Sequence, residues 1–171
     1  MTDHEAKANL LWEAYKSRLG QQEHTEMFFN LSLLVHSHPD LDWLDAPFSK
    51  EEIDDVVQHL PNEKSPGPDG FNNEFIKKCW YLISQDFYDL CQAFHDGDLC
   101  LQSINGSLIT LIPKKDNPIT VNDFRPISLL NSSIKIITKI LANRLQQVIL
   151  HLIHQNQYGF IKSRTIQHCL A

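Results

Sequence analysis

A mostly helical α+β domain with one small antiparallel sheet is predicted by three features of this 171-residue sequence. Long segments repeat apolar residues at helical spacing, two short β-branched runs flank a polar loop, and no repeat or low-complexity tract interrupts them. The composition, 42% hydrophobic and 21% charged, is that of a globular chain rather than a disordered or fibrous one. At this length a core can close without a disulfide or a metal.

The elements follow in order. Leu11, Tyr15 and Leu19 recur at intervals of four within residues 4–19, with Trp12 beside them, and Gly20 offers a stop. Glu26 to Val35 predicts a second helix, ended by a His-Ser-His-Pro turn. Pro39 to Pro47 reads as an extended connector, partly buried through Leu41, Trp43 and Leu44. Ser49 and Glu52 have the spacing of a capping box, in which the hydroxyl takes the Glu52 N–H and the carboxylate reaches back to the Ser49 N–H. Ile53, Val56, Val57 and Leu60 continue that helix on one face, and Pro61 closes it.

KSPGPDGF, residues 64–71, excludes regular structure with two prolines and two glycines. The longest helix follows, through Phe75, Cys79, Leu82, Ile83, Phe87, Leu90, Cys91 and Phe94, until Gly97. Ser107 to Ile112 and Arg125 to Leu130 suit two strands, the second entered through Pro126 at an edge, with Lys114 to Asp123 as the joining loop. A helix starting at Ser132 or Ser133 carries Ile136, Ile137, Ile140, Leu141, Leu145, Val148 and Leu152 inward, and Lys135, Lys139 and Arg144 outward. Residues 155–164 form a Gly-containing loop or strand, and a further helix begins at Thr165.

Charge is unevenly spread. The total of −6 comes from −8 in Met1–Leu60, −4 in Pro61–Asn105 and +6 in Gly106–Ala171, so an anionic partner is expected for the last third alone. Cys79, Cys91, Cys100 and Cys169 lack disulfide or zinc-ribbon spacing and read as reduced, buried thiols. The polar, acidic start has no signal-peptide character, and no apolar run approaches a membrane span. The chain is therefore expected to be intracellular, not secreted and not membrane-bound.

Stand-alone chemical motifs mostly fail. There is no Walker loop, dinucleotide fingerprint or HExxH, and His36, His38, His151 and His154 lack the further ligands a metal needs. Asp96-Gly-Asp98 suits helix capping better than calcium. The basic third differs. Lys114 and Lys115 follow one strand and Arg125 opens the next, so a hairpin gathers all three where they can hold phosphate oxygens, Arg as a fork and Lys as a point charge. Lys162 and Arg164 form a second basic pair beside Tyr158 and Phe160, aromatic faces on which a base can stack. The plainer account is a set of ordinary solvated cations.

KSPGPDGF, LITLIPKK, DFRPISLLNSSIKIITKILANRL and QYGFIKSRTI, in that order and spacing, resemble the N-terminal blocks of reverse transcriptases of LINE-type, non-LTR retrotransposons, most closely the plant branch. The resemblance spans about residues 49–171. LLWEAYKSRLG and LDWLDAPFSKEEI resemble the segment leading into the polymerase. This divides the chain into a helical extension, residues 1–48, and a truncated reverse transcriptase domain, residues 49–171, holding part of the fingers subdomain without the palm.

The resemblance implies roles. Arg125 matches the arginine that lies against the triphosphate and base of the incoming nucleotide, and Lys114 or Lys115 the lysine aimed at its terminal phosphates. Tyr158, Phe160, Lys162 and Arg164 fall in a region that leans on template and primer, and KSPGPDGF becomes a rigid turn near the template. Ser163 stands where Gly is common, and His168 where an acid is common. Mg²⁺ is expected for the complete family enzyme, held by palm aspartates. No metal or catalytic residue is expected in this chain, since Asp116 and Asp123 are the only carboxylates in residues 106–171. The resemblance thus implies part of an RNA-directed DNA polymerase that binds RNA or DNA template-primer weakly, and a deoxynucleoside triphosphate, but is inactive alone. Two alternatives stand beside it: a non-catalytic helical module that self-associates through an uncovered apolar helix face, and the remnant of a decayed element.

Overall fold

The structure, a computed structural model, describes residues 3–19, 39–165 and 167. In chain order these form α1 (His4–Leu19), a 3₁₀ helix at Pro39–Asp45, α2 (Lys50–Gln58), α3 (Asn73–His95), a single turn α4 (Leu101–Ile104), β1 (Ser107–Pro113), a 3₁₀ turn at Val121–Asp123, β2 (Phe124–Leu130) and α5 (Ser132–Leu152). The two strands pair as a hairpin. This is the mostly helical α+β architecture that the periodicities predict. The helix expected at residues 26–35 and nearly all of the one from Thr165 lie outside the described residues. Residues 155–164 are turns and irregular chain, with no strand. No helix among the described residues is long and apolar enough to cross a membrane.

Two compact units divide the chain, one of Pro39–Ile109 with Ser128–Ala171, the other of Met1–His38 with Thr110–Ile127. The core of the larger unit comes from α2, α3 and α5: Ile53, Val56, Val57 and Leu60, then Ile76 and Cys91, then Ile136, Ile137 and Ile140, with Trp80, Phe87 and Phe94 packed at its margin. Sequence order builds this directly. Ser49 caps α2 by accepting from the Glu52 N–H at 3.1 Å, and Asn72 caps α3 through the Phe75 N–H at 2.8 Å. Gly97, at φ +78°, ends α3 in the left-handed conformation that favours glycine, after Asp96 as its C-cap. Asp54 accepts from Trp80 Nε1 at 2.7 Å and from the Tyr88 hydroxyl at 2.6 Å, which satisfies two polar groups that the packing of α2 on α3 half buries.

Four sequence expectations are corrected here. First, Arg144 does not sit on the outer face of α5 with Lys135 and Lys139; it is 6% exposed. Its position four residues after Ile140 turns it to the core side of the helix. Second, Glu52 completes no capping box. Its carboxylate takes Arg144 Nε at 2.8 Å and Nη2 at 2.7 Å instead. Third, Pro39–Pro47 is not extended. Pro39–Asp45 coils as a 3₁₀ helix, and the carbonyls of Leu44 within it and of Ala46 and Pro47 after it face the same guanidinium, at 3.1, 2.5 and 3.0 Å. Fourth, the cysteines are not uniformly buried: Cys91 is, Cys79 is half-buried and Cys100 is exposed, all three being free thiols. Burial pushes the Cys91 thiol up to about 11. The apolar stripe of α5 also divides, Ile136, Ile137 and Ile140 being inside while Leu141, Leu145 and Leu152 stay 37–43% exposed.

Candidate nucleic-acid interface

The hairpin gathers the three cations that its sequence suggested. Lys114, Lys115 and Arg125 all lie in the smaller unit, where the Lys114 N–H donates to the Asp123 carbonyl at 2.7 Å and closes the base of the loop. Continued into the strands, that register sets Ile112 opposite Arg125. Lys114 follows the last residue of β1 and Arg125 is the second residue of β2, so the closing bond brings both to the loop end of the hairpin. Lys115 follows Lys114 in the loop.

Their partners distinguish the cations further. Lys115 Nζ is paired with the Asp123 carboxylate at 2.8 Å. Lys114 Nζ donates to the neutral Asn122 carbonyl at 2.8 Å, which leaves its charge uncompensated. Arg125 is exposed and has no hydrogen-bond or ion-pair partner among the described residues. A phosphate can therefore reach Arg125 and Lys114 without displacing a carboxylate, but must compete with Asp123 for Lys115. Nothing local in the sequence announces that pairing, which spans the whole loop.

Asp123 shapes the loop. Besides Lys115, its carboxylate accepts from the Ile119 and Thr120 N–H groups, both at 2.9 Å. The Lys115 ammonium first, then these amides, hold the Asp123 carboxyl well below the usual carboxylate range. A depressed folded-state pKa gives stabilisation that is fully present above the unfolded value, near pH 4, and is lost as pH falls through the folded value. In an NMR titration the Ile119 and Thr120 amide resonances should shift with a midpoint well below pH 4; a midpoint at or above 4 would remove this account of the loop. On the other side of the same loop, Arg18 Nη2 donates to Asn122 Oδ1 at 2.6 Å, tying α1 to it.

The second predicted group, in the larger unit, is a loop after α5. Phe160 is fully exposed and holds φ +66°, a conformation that costs a bulky residue about 1–2 kcal/mol. Ile161 beside it is buried at 5% and anchors the segment. Arg164 Nη1 donates to the His154 and Gln157 carbonyls, both at 2.7 Å, so this guanidinium holds the loop in shape. Lys162 is exposed and Tyr158 half-buried. Ser163 occupies a turn closed by the Arg164 N–H on the Ile161 carbonyl at 3.1 Å, and the left-handed backbone is not required there. Its Cβ is accommodated without strain. His168 lies outside the described residues.

KSPGPDGF is clamped onto the start of α5. The Asp69 carboxylate accepts from the Ser132 N–H at 2.5 Å, and the Asn131 amide oxygen accepts from the Asp69 N–H at 3.0 Å. An acid over the first N–H groups of a helix satisfies unpaired donors and the positive end of the helix dipole. Gly67 lies against the Leu130 carbonyl so closely that a Cβ would collide with backbone.

A two-metal polymerase site needs a set of carboxylates. Among the described residues no three His, Cys, Asp or Glu side chains are grouped to hold a metal ion, and Asp123 is engaged within its own loop. These described residues do not fit the Mg²⁺ site of the family.

Residues 112–171 match the family model described as reverse transcriptase (RNA-dependent DNA polymerase). The chain is 35% identical over 124 residues to the transposon TX1 uncharacterized 149 kDa protein of Xenopus laevis, an alignment covering 72% of this chain and 9% of that protein. It is 28% identical over 120 residues to the RNA-directed DNA polymerase from mobile element jockey of Drosophila funebris, covering 67% of this chain and 13% of the relative. The chain thus spans about a tenth of the curated relatives it matches. Neither is a plant protein, so the plant-like placement has no counterpart between them.

Proposed function

The chain carries part of a LINE-type reverse transcriptase, and from that premise we propose that its hairpin grips the triphosphate of an incoming deoxynucleotide through Arg125 and Lys114. The observation that carries this reading is the exposed guanidinium of Arg125, without a partner among the described residues, at the same end of the hairpin as Lys114. Lys115, neutralised by Asp123, supports the loop rather than the ligand. Phe160 and Lys162 are proposed to lie against template or primer, with Tyr158 beside them and Arg164 holding their loop. RNA or DNA template-primer is the proposed partner, bound weakly and with strong salt dependence because the contacts are phosphate contacts. Bond formation is proposed to need Mg²⁺ ligands other than the described residues, so this chain binds without extending a primer.

The test is nucleotide binding by calorimetry. Arg125→Ala should weaken a deoxynucleoside triphosphate about tenfold, the worth of one charge-assisted hydrogen bond, and Lys115→Ala less than about threefold. Unchanged affinity in Arg125→Ala would overturn the assignment. A second reading, self-association through α5, rests on the exposed Leu141, Leu145 and Leu152. Light scattering separates the two, since a monomer that binds nucleic acid favours the first.

A further inference from the structure

A cleft of about 420 Å³ opens in the larger unit between the end of α2, the Pro/Gly-rich block and the first turns of α5. Val56, Leu60 and Leu129 give it an apolar floor, and Lys64, Lys135 and Lys139 stand around it. Among the described residues no carboxylate lines it. Lys135 and Lys139 are four apart on α5 and so share one helix face. Lys135 Nζ donates to the Ser65 carbonyl at 3.0 Å, which fixes the Lys64–Ser65 segment against the helix. Lys64 and Lys139 are exposed and have no hydrogen-bond or ion-pair partner among the described residues. On a chain of net charge −6, three lysines around one apolar cleft concentrate positive potential, with Asp55 behind the lining His59 as a neighbouring carboxylate.

We infer that this cleft binds single-stranded nucleic acid, with Lys64 and Lys139 on successive phosphates and a sugar or base on the apolar floor. The two halves of the cleft match the two halves of such a ligand: anionic groups at regular spacing along an edge, and apolar faces between them. Lys135 acts differently, as a positioning residue that holds the wall carrying Lys64. The clamp of Asp69 on Ser132 and the close seat of Gly67 on Leu130 keep that wall in place, so little ordering is required on binding. The cationic character of the cleft stands by itself; the choice of nucleic acid over another polyanion rests on the function proposed above.

The test uses the whole chain and an end-labelled oligouridylate, followed by fluorescence anisotropy over a salt series. The double change Lys64→Ala/Lys139→Ala should weaken binding about tenfold at low salt and make the slope of log affinity against log salt shallower by about 1.4, two phosphate contacts at ~0.7 each. Both side chains are exposed and without partners among the described residues, so the fold should survive, with an unaltered far-ultraviolet dichroism spectrum as the check. Arg125→Ala, measured with a deoxynucleoside triphosphate, runs in parallel. If the double variant binds RNA as the parent does while Arg125→Ala loses the nucleotide, the cleft assignment fails and the hairpin assignment stands. If Arg125→Ala has no effect while the double variant loses RNA, the reverse holds. Polyglutamate displacing the RNA from the parent at equal charge concentration would overturn nucleic acid as the ligand in favour of an acidic peptide.

Discussion

Replacing Arg144 by alanine is expected to destabilise the larger unit by about 3–5 kcal/mol, seen as a lower urea midpoint with an unchanged slope. The side chain is 7% exposed and its Glu52 partner 25%, so the pair is largely withdrawn from water. Five donations leave this one guanidinium: two to Glu52 and three to the carbonyls of Leu44, Ala46 and Pro47. Its Cζ also lies 4.7 Å from the centre of the Phe48 ring. Alanine would strand the Glu52 carboxylate and three carbonyls together, and the uncompensated groups rather than the lost attraction set the cost. Arg144→Lys keeps the charge but offers one point donor where the site needs a planar fork, so it should recover less than half of the loss. A destabilisation by Arg144→Ala below about 1 kcal/mol, the size of a surface ion pair, would show that the pair is wetter than its burial implies.

That residue also marks where local sequence reading fails. Spacing placed α2, α3, both strands and α5 close to their observed bounds, because periodicity is set by which side of an element faces the core. The same spacing contained the signal for Arg144: it continues the Ile136, Ile140 row by one more turn. The assumption that a cation faces water hid it. Its partner Glu52 sits 92 residues away, and Ser49-x-x-Glu52 offers an attractive local use for that carboxylate. Local patterns name what a side chain can do; only the packing of α5 beside α2 decides which option is taken. The contacts of the preceding segment follow from the same cause, since the Leu44, Ala46 and Pro47 carbonyls turn toward a guanidinium that local spacing reads as facing water.

The candidate sites divide in the same way. A hairpin bringing Lys114, Lys115 and Arg125 together was legible, because alternating β-branched runs around a polar loop leave few other arrangements. Which cation is free was not, since it depends on Asp123 folding back onto Lys115 and two amides. Arg164 looked like a ligand contact and is placed as a brace within its own loop. The lysine cleft was invisible, because Lys64 is separated from Lys135 and Lys139 by some seventy residues and meets them only through the seat of the Pro/Gly-rich block on α5.

Gly67→Ala is the second change with a large expected effect, about 3 kcal/mol, at the upper end of overpacking costs. A Cβ at residue 67 would meet the Leu130 carbonyl and the Asn131 nitrogen, both backbone atoms that cannot rotate aside as a side-chain tip would. Relief requires the whole 64–71 segment to lift off α5, which stretches the bonds of Asp69 to Ser132 and of Lys135 to Ser65. Gly70 is the internal control. It lies in the same block at φ +72° with open space around its Cα, so Gly70→Ala meets backbone strain alone, about 1 kcal/mol. Urea unfolding of the two variants should therefore separate them by about 2 kcal/mol. Equal losses would mean that the close approach of Gly67 to Leu130 does not hold the block in place. The separation extends to binding: lifting the segment carries Lys64 away from Lys139, so under native conditions Gly67→Ala should bind oligouridylate more weakly than Gly70→Ala, although neither glycine can touch a phosphate with a charge.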